Sequence, residues 1–156
     1  LNEIKRIYEW AFQPANTNRG YVRPEPIEVT APFSLGKLIV TPITVIHGNI
    51  DTHGYRFDYP GAPSIAYIPD VKTIPESSQQ LLQNVTVLII DALHKRDHPT
   101  HMNLSESVAM AKKLRAKHVY LTHLSHELDV NETLGELDEP FQFAYDGLKL
   151  TFPAIG

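Results

Sequence analysis

The chain has no cysteine. Disulfides and thiolate zinc fingers are therefore excluded, and the composition suits a reducing compartment, so a cytoplasmic location is the expectation. Long apolar runs are missing too. None approaches the roughly 20 residues a membrane-spanning helix needs, so no membrane association is expected. Positive charge is not in surplus: 14 Lys and Arg face 18 Asp and Glu, a net charge of −4. Without a basic stripe, nucleic acid is not an expected partner. There is no Gly-rich phosphate loop and no internal repeat. The opening "LNEIKRIYEWAF" lacks an initiator methionine and the plan of a signal peptide, because charges interrupt its apolar positions. It reads as a helix already under way, and hence as a piece of a longer protein.

What is present begins with a core. The 156 residues are 42% hydrophobic and 21% charged, enough for one packed domain spanning 1–156. Residues 1–12 carry Ile4, Ile7, Tyr8 and Ala11 at helical spacing. "QPANTNRGYVRPEP" is loop-like, and "IEVTAPF" alternates like a half-buried strand. "GKLIVTPITVIHG" is a longer strand in which Pro42 marks an edge or bulge. "GYRFDY" and "SIAYIPD" form a strand pair joined by "PGAP". "IPESSQQLLQNV" opens a short helix, with Pro75 and Glu76 suited to its first turn. "VTVLIIDAL" is a nearly continuous apolar run, as expected inside a sheet. "HKRDHPTHM" is a loop, and "NLSESVAMAKKLRAK" an amphipathic helix capped by Asn103 or Ser105. "HVYLTHL" is a second buried strand, "VNETLGEL" a short helix, and "FQFAYDGLKLTF" two strands around an Asp146-Gly147 turn. Strands first, then strand alternating with helix, predict an α/β fold with a mixed sheet and flanking helices.

Eight histidines lie at or after His47. Four strands end in metal-capable groups: His47 after "TPITVI", Asp70 after "SIAYIP", Asp91 after "VTVLII", and His123 after "HVYLT". Read singly, these are turn or capping carboxylates and surface imidazoles. Read together, they fit a site at the carboxyl ends of strands, where loops converge. Two imidazoles and a carboxylate suit zinc, manganese or iron.

The strings "TPITVIHGN", "AYIPDVKTIPE", "LIIDALHKRDHPTHMNLSESVAMAKKL", "VYLTHLSHELD" and "FAYDGLKL" resemble, in order, the second half of a metallo-β-lactamase-fold hydrolase. Within that superfamily they resemble the branch of phosphoribosyl cyclic phosphodiesterases. The resemblance implies that this chain forms about the C-terminal half of an αβ/βα sandwich. It implies metal ligation by His47, Asp70 and His123, with Asp70 bridging two ions. It makes His101 an acid or base near a substrate phosphate. Asp91, Asp146 and His126 would stand behind the ligands, since a metal-bound imidazole usually gives its other N–H to a carboxylate or carbonyl. His98, with His94 and His53, would be loop histidines at the mouth, and His118 structural.

The family's first motif, His-x-His-x-Asp-His, is absent from these residues. Two ions, zinc or manganese, are implied for the complete fold, and one or none for this chain alone. The expected activity is metal-assisted hydrolysis of a small phosphodiester, a cyclic nucleotide or cyclic ribose phosphate. The competing expectation is an incomplete, non-catalytic module that binds or assembles. A half-sandwich would also expose an apolar sheet face, which predicts self-association or pairing with the missing N-terminal half.

Overall fold

The computed structural model describes residues 1–13 and 24–152. The chain falls into two compact units, Leu1–Thr30 and Ala31–Gly156. The first holds α1 (Asn2–Ile7) and α2 (Glu9–Phe12), neither with a buried residue. The single helix expected over 1–12 is two, broken at Tyr8, whose φ of −107° and ψ of 38° lie outside helical values. Most of the loop expected after it lies outside the described residues.

The second unit is one seven-stranded sheet in simple order, β1 (Phe33–Leu35), β2 (Leu38–His47), β3 (Ile50–Asp58), β4 (Ile65–Ile68), β5 (Val87–Asp91), β6 (His118–Thr122) and β7 (Phe141–Phe143). Pairing is antiparallel from β1 to β4 and parallel from β4 to β7. The parallel part needs crossovers, supplied by α3 (Glu76–Leu82) between β4 and β5 and α4 (Leu104–Leu114) between β5 and β6. A short α5 (Val130–Leu134) precedes β7. The mixed α/β fold is thus as the sequence implied.

Local chemistry accounts for the elements. Pro42 is tolerated because β1 pairs only with Leu38, Ile39 and Val40, leaving β2 an edge at the proline. Gly48 (φ 63°) and Asn49 turn β2 into β3 with His47 opposite Ile50, a hairpin taking glycine at its first central position. Asn103 caps α4 by accepting from Glu106 N, and the Glu106 carboxylate accepts from Asn103 N in return. Arg115 closes the helix in the left-handed conformation.

Two expected strands are corrected. Of "IEVTAPF", only Phe33 enters a strand; Pro26 and Pro32 supply no backbone donors for a ladder. Asp146 and Gly147 do form a turn, closed by Leu148 N to Tyr145 O, but no second strand follows among the described residues.

The core lies on one face. Ile68, Ile90, Leu121 and Phe143 are directly opposed across β4 to β7 and are buried together with Ile43, Val45, Leu82, Ala111 and Leu114. Gly54 is required there: a Cβ would stand 2.3 Å from Ile68 Cδ1 and 2.7 Å from the Tyr67 carbonyl oxygen.

Candidate metal centre

β2, β4, β5 and β6 run the same way, so their carboxyl ends share one edge. β3 lies between β2 and β4, yet the loop after β4 reaches across it. Ile46 N donates to Thr73 O, while Lys72 N and Thr73 N donate to Ile46 O. This pins the segment after Asp70 beside His47. The 93–104 loop is fastened to the same edge by Met102 N to Val71 O, Leu93 N to Met102 O and Leu104 N to His94 O. Three loops therefore close on one spot, and the fold rather than the local sequence assembles the cluster.

His47 and His101 are oriented by their δ nitrogens. His47 Nδ1 donates to the Thr100 carbonyl at 2.8 Å, leaving Nε2 with its lone pair free. His101 Nδ1 lies 2.7 Å from Asp91 Oδ2, which also accepts from Val71 N at 3.0 Å. His123 Nε2 is 3.3 Å from Asp70 Oδ1, about the separation of two ligands on one zinc with bonds of about 2.0–2.1 Å. The His101 ring stacks on His123 at 4.6 Å and meets His47 edge-on at 4.4 Å. Asp70, His101 and His123 offer ligand atoms all within 4.8 Å of one another. Neutral imidazole nitrogens beside a carboxylate are the donor set of a borderline-soft divalent cation, so these residues fit a metal.

Burial pushes the Asp91 carboxyl up to about 7, against the Val71 N–H and the nearby His123, which favour its charged form. Burial, and then the neighbouring His123 and His47, hold His101 below the ordinary imidazole range, which favours its neutral form. His123 itself sits at φ 59°, a left-handed conformation uncommon for a side chain of this size.

The other sequence-predicted residues disperse. His98 Nδ1 accepts from Thr100 N and His101 N, both at 3.3 Å, and so closes the turn that carries His101. His94 is buried rather than at the mouth, and donates from Nδ1 to the Arg96 carbonyl. His53 is an exposed residue of β3, not of a loop. His126 and Asp146 are exposed, with no hydrogen bond to the cluster among the described residues. His118 begins β6, its ring 5.4 Å from Phe152. The Thr100 carbonyl and the Val71 N–H had no signature in the sequence, because main-chain groups belong to every residue.

Comparison with known proteins fits this geometry. A sequence model of the β-lactamase superfamily domain matches residues 3–124. Among curated proteins, an octanoyltransferase of Porphyromonas gingivalis is 26% identical over 120 residues, covering 76% of this chain and 23% of that one. Among solved structures, a diphosphatase of the PhnP family superposes with a TM-score of 0.81 at 34% identity, covering 99% of this chain and 56% of the other. The metallo-β-lactamase fold protein YhfI of Bacillus subtilis gives 0.70 at 20%, covering 94% of this chain and 60% of its own. Zn(2+)-bound PqqB of Methylobacterium extorquens gives 0.70 at 16%, covering 86% and 57%. The chain thus spans about a quarter of that curated relative and just over half of these structures. Among the described residues, no helix is long and apolar enough to cross a membrane.

Proposed function

The chain belongs to the β-lactamase superfamily, and from that premise we propose that it carries the C-terminal share of a metal-dependent hydrolase site for a small phosphodiester. A cyclic nucleotide or cyclic ribose phosphate is the substrate class. The observation that carries the reading is the convergence of Asp70, His101 and His123 at one strand edge, with the His47 ring beside that of His101 at 4.4 Å. His47, Asp70 and His123 would hold the cation, zinc or manganese. When bound, such a cation supplies Lewis acidity, polarising a phosphoryl oxygen and making water a stronger nucleophile near neutral pH.

The chain's own residues supply the rest. His101, fixed through Nδ1 by Asp91, presents Nε2 as the atom at which a proton is taken up and then returned to the leaving oxygen. His98 receives its hydrogen bonds at Nδ1 and therefore carries its proton on Nε2, a donor for a phosphoryl oxygen. Burial first, and then the neighbouring imidazoles with Lys72 and Arg96, lower the His98 pKa. The two permanent cations Lys72 and Arg96 make the mouth a place suited to an anion. The likeness to a diphosphatase supports a phosphoryl substrate.

Metal content of the purified chain tests the proposal. We expect zinc or manganese uptake that is lost in His123→Ala with the fold intact. Uptake unchanged by that substitution overturns the ligand assignment. The second reading, a module that binds without catalysis, is favoured by the missing His-x-His-x-Asp-His string. Metal-dependent cleavage of a chromogenic phosphodiester by this chain would exclude it.

The same reading includes self-association, through a sheet face where Tyr55 and Tyr67 remain exposed. Sedimentation over a range of concentrations should show a dimer, weakened by Tyr67→Ser.

A further inference from the structure

Asp91 has no exposure at all, and its two oxygens face different imidazoles. Oδ2 is engaged by His101 Nδ1 and by Val71 N. Oδ1 is buried and has no hydrogen-bond partner among the described residues. His123 Nδ1 stands 4.0 Å from it, just beyond hydrogen-bond range. A buried acceptor without a partner is unfavourable, so the position asks for a donor. The main chain of Asp91 cannot drift away to find one: its carbonyl accepts from Ser107 Oγ, and the residue pairs with Thr122 in the sheet. His123 can supply that donor. Its Nε2 is turned to Asp70, which leaves Nδ1 on the Asp91 side.

We infer that Asp91 is a shared positioning residue: Oδ2 holds His101 with its proton on Nδ1, and Oδ1 receives the Nδ1 proton of His123 when His123 Nε2 takes a cation. One buried carboxylate then links metal loading to the orientation of the proton-transferring imidazole. The inference rests on the proposed roles of His123 and His101.

The test reads imidazole nitrogens by NMR in the full chain, metal-free and with zinc added, in the unsubstituted protein and in Asp91→Asn. In the unsubstituted protein His101 should carry its proton on Nδ1 throughout, and zinc should drive His123 to the Nδ1-protonated form. In Asp91→Asn the Val71 N–H keeps the amide oxygen at the Oδ2 position, so His101 should keep its Nδ1 proton, while the amide N–H now faces His123 Nδ1 and zinc affinity should fall about 10–100-fold. The spectra of the unsubstituted protein decide the His101 half even where the variant folds poorly. A His101 proton found on Nε2 there, or zinc affinity unchanged in a folded Asp91→Asn, overturns the inference while leaving the metal site standing. No zinc uptake by the unsubstituted chain overturns the proposed site, and the His123 half with it.

Discussion

Ile68 and Tyr67 are neighbours in β4, yet Ile68 is fully buried and Tyr67 is 43% exposed. The contrast runs along the sheet. Ile68, Ile90 and Leu121 oppose one another on the face packed with α3 and α4, while Tyr55, Tyr67, Ile89 and Tyr120 oppose one another on the reverse. That reverse face is open at Tyr55 and Tyr67 and closed at Tyr120. The asymmetry follows from topology. β4, β5 and β6 step across the sheet in one direction, and right-handed crossovers between them put both helices on the same side. Parallel strands are normally covered on both faces. This chain builds one covering layer from its own crossovers.

The largest expected effect measures that contrast directly. Ile68→Ala should cost about 2–5 kcal/mol, since it leaves a cavity in a dry layer. Tyr67→Ala, one residue away, should cost roughly 0.5 kcal/mol, because solvent already reaches the ring. Chemical denaturation of the two variants checks both values. Equal losses would mean that the reverse face is packed as tightly as the helical one.

The closed face was legible in the sequence, and the site partly so. "VTVLIID" and "HVYLT" announce buried strands because burial on both sides leaves no room for polar alternation. The α4 cap was legible as Asn103 or Ser105, and the reciprocal bonding with Glu106 decides for Asn103. His47, Asp70, Asp91 and His123 were legible as strand ends, and they do share one edge. Less could be read where backbone geometry decides. Gly48 and Asn49 already turn the chain at His47, so β3 begins at Ile50, four residues before the strand expected from "GYRFDY". Asp146 looked like a carboxylate behind the ligands, but its turn leaves it exposed. His94 looked like a mouth residue, yet its hydrogen bond to the Arg96 carbonyl organises a buried loop start. In each case a main-chain partner or a turn direction was decisive, and neither leaves a mark in residue type.

A middle-sized effect is expected at the edge where the two faces meet. His123 occupies a left-handed conformation that costs an L side chain about 1–2 kcal/mol. Such strain is tolerated where the surroundings and a function hold it. His123→Ala should therefore keep most of the strain, whereas His123→Gly should relieve it and be more stable than the alanine variant by about 1 kcal/mol, less the unfolded-state entropy of glycine. Both should lose bound metal. Equal stability of the two would show that the left-handed turn is not strained.

The smallest effect concerns how firmly α4 closes its face. Lys72 Nζ lies 2.7 Å from Glu106 Oε1, tying the loop after β4 to the first turn of α4. Burial alone would raise the Glu106 pKa, but the Lys72 hydrogen bond and the Asn103 N–H outweigh it and leave the value lowered. A carboxylate whose folded pKa is lowered contributes stability above its unfolded value near 4.3, and that contribution is lost as pH falls through the folded value. The pair is partly exposed, so after solvent screening it is worth about 0.5 kcal/mol. Glu106→Gln should therefore lower the melting temperature slightly at pH 7, and the difference from the unsubstituted chain should vanish in acid. A difference that persists below the folded pKa would assign the loss to the cap at Asn103 instead of to the ion pair, and the helical face would then owe its closure to α4 itself.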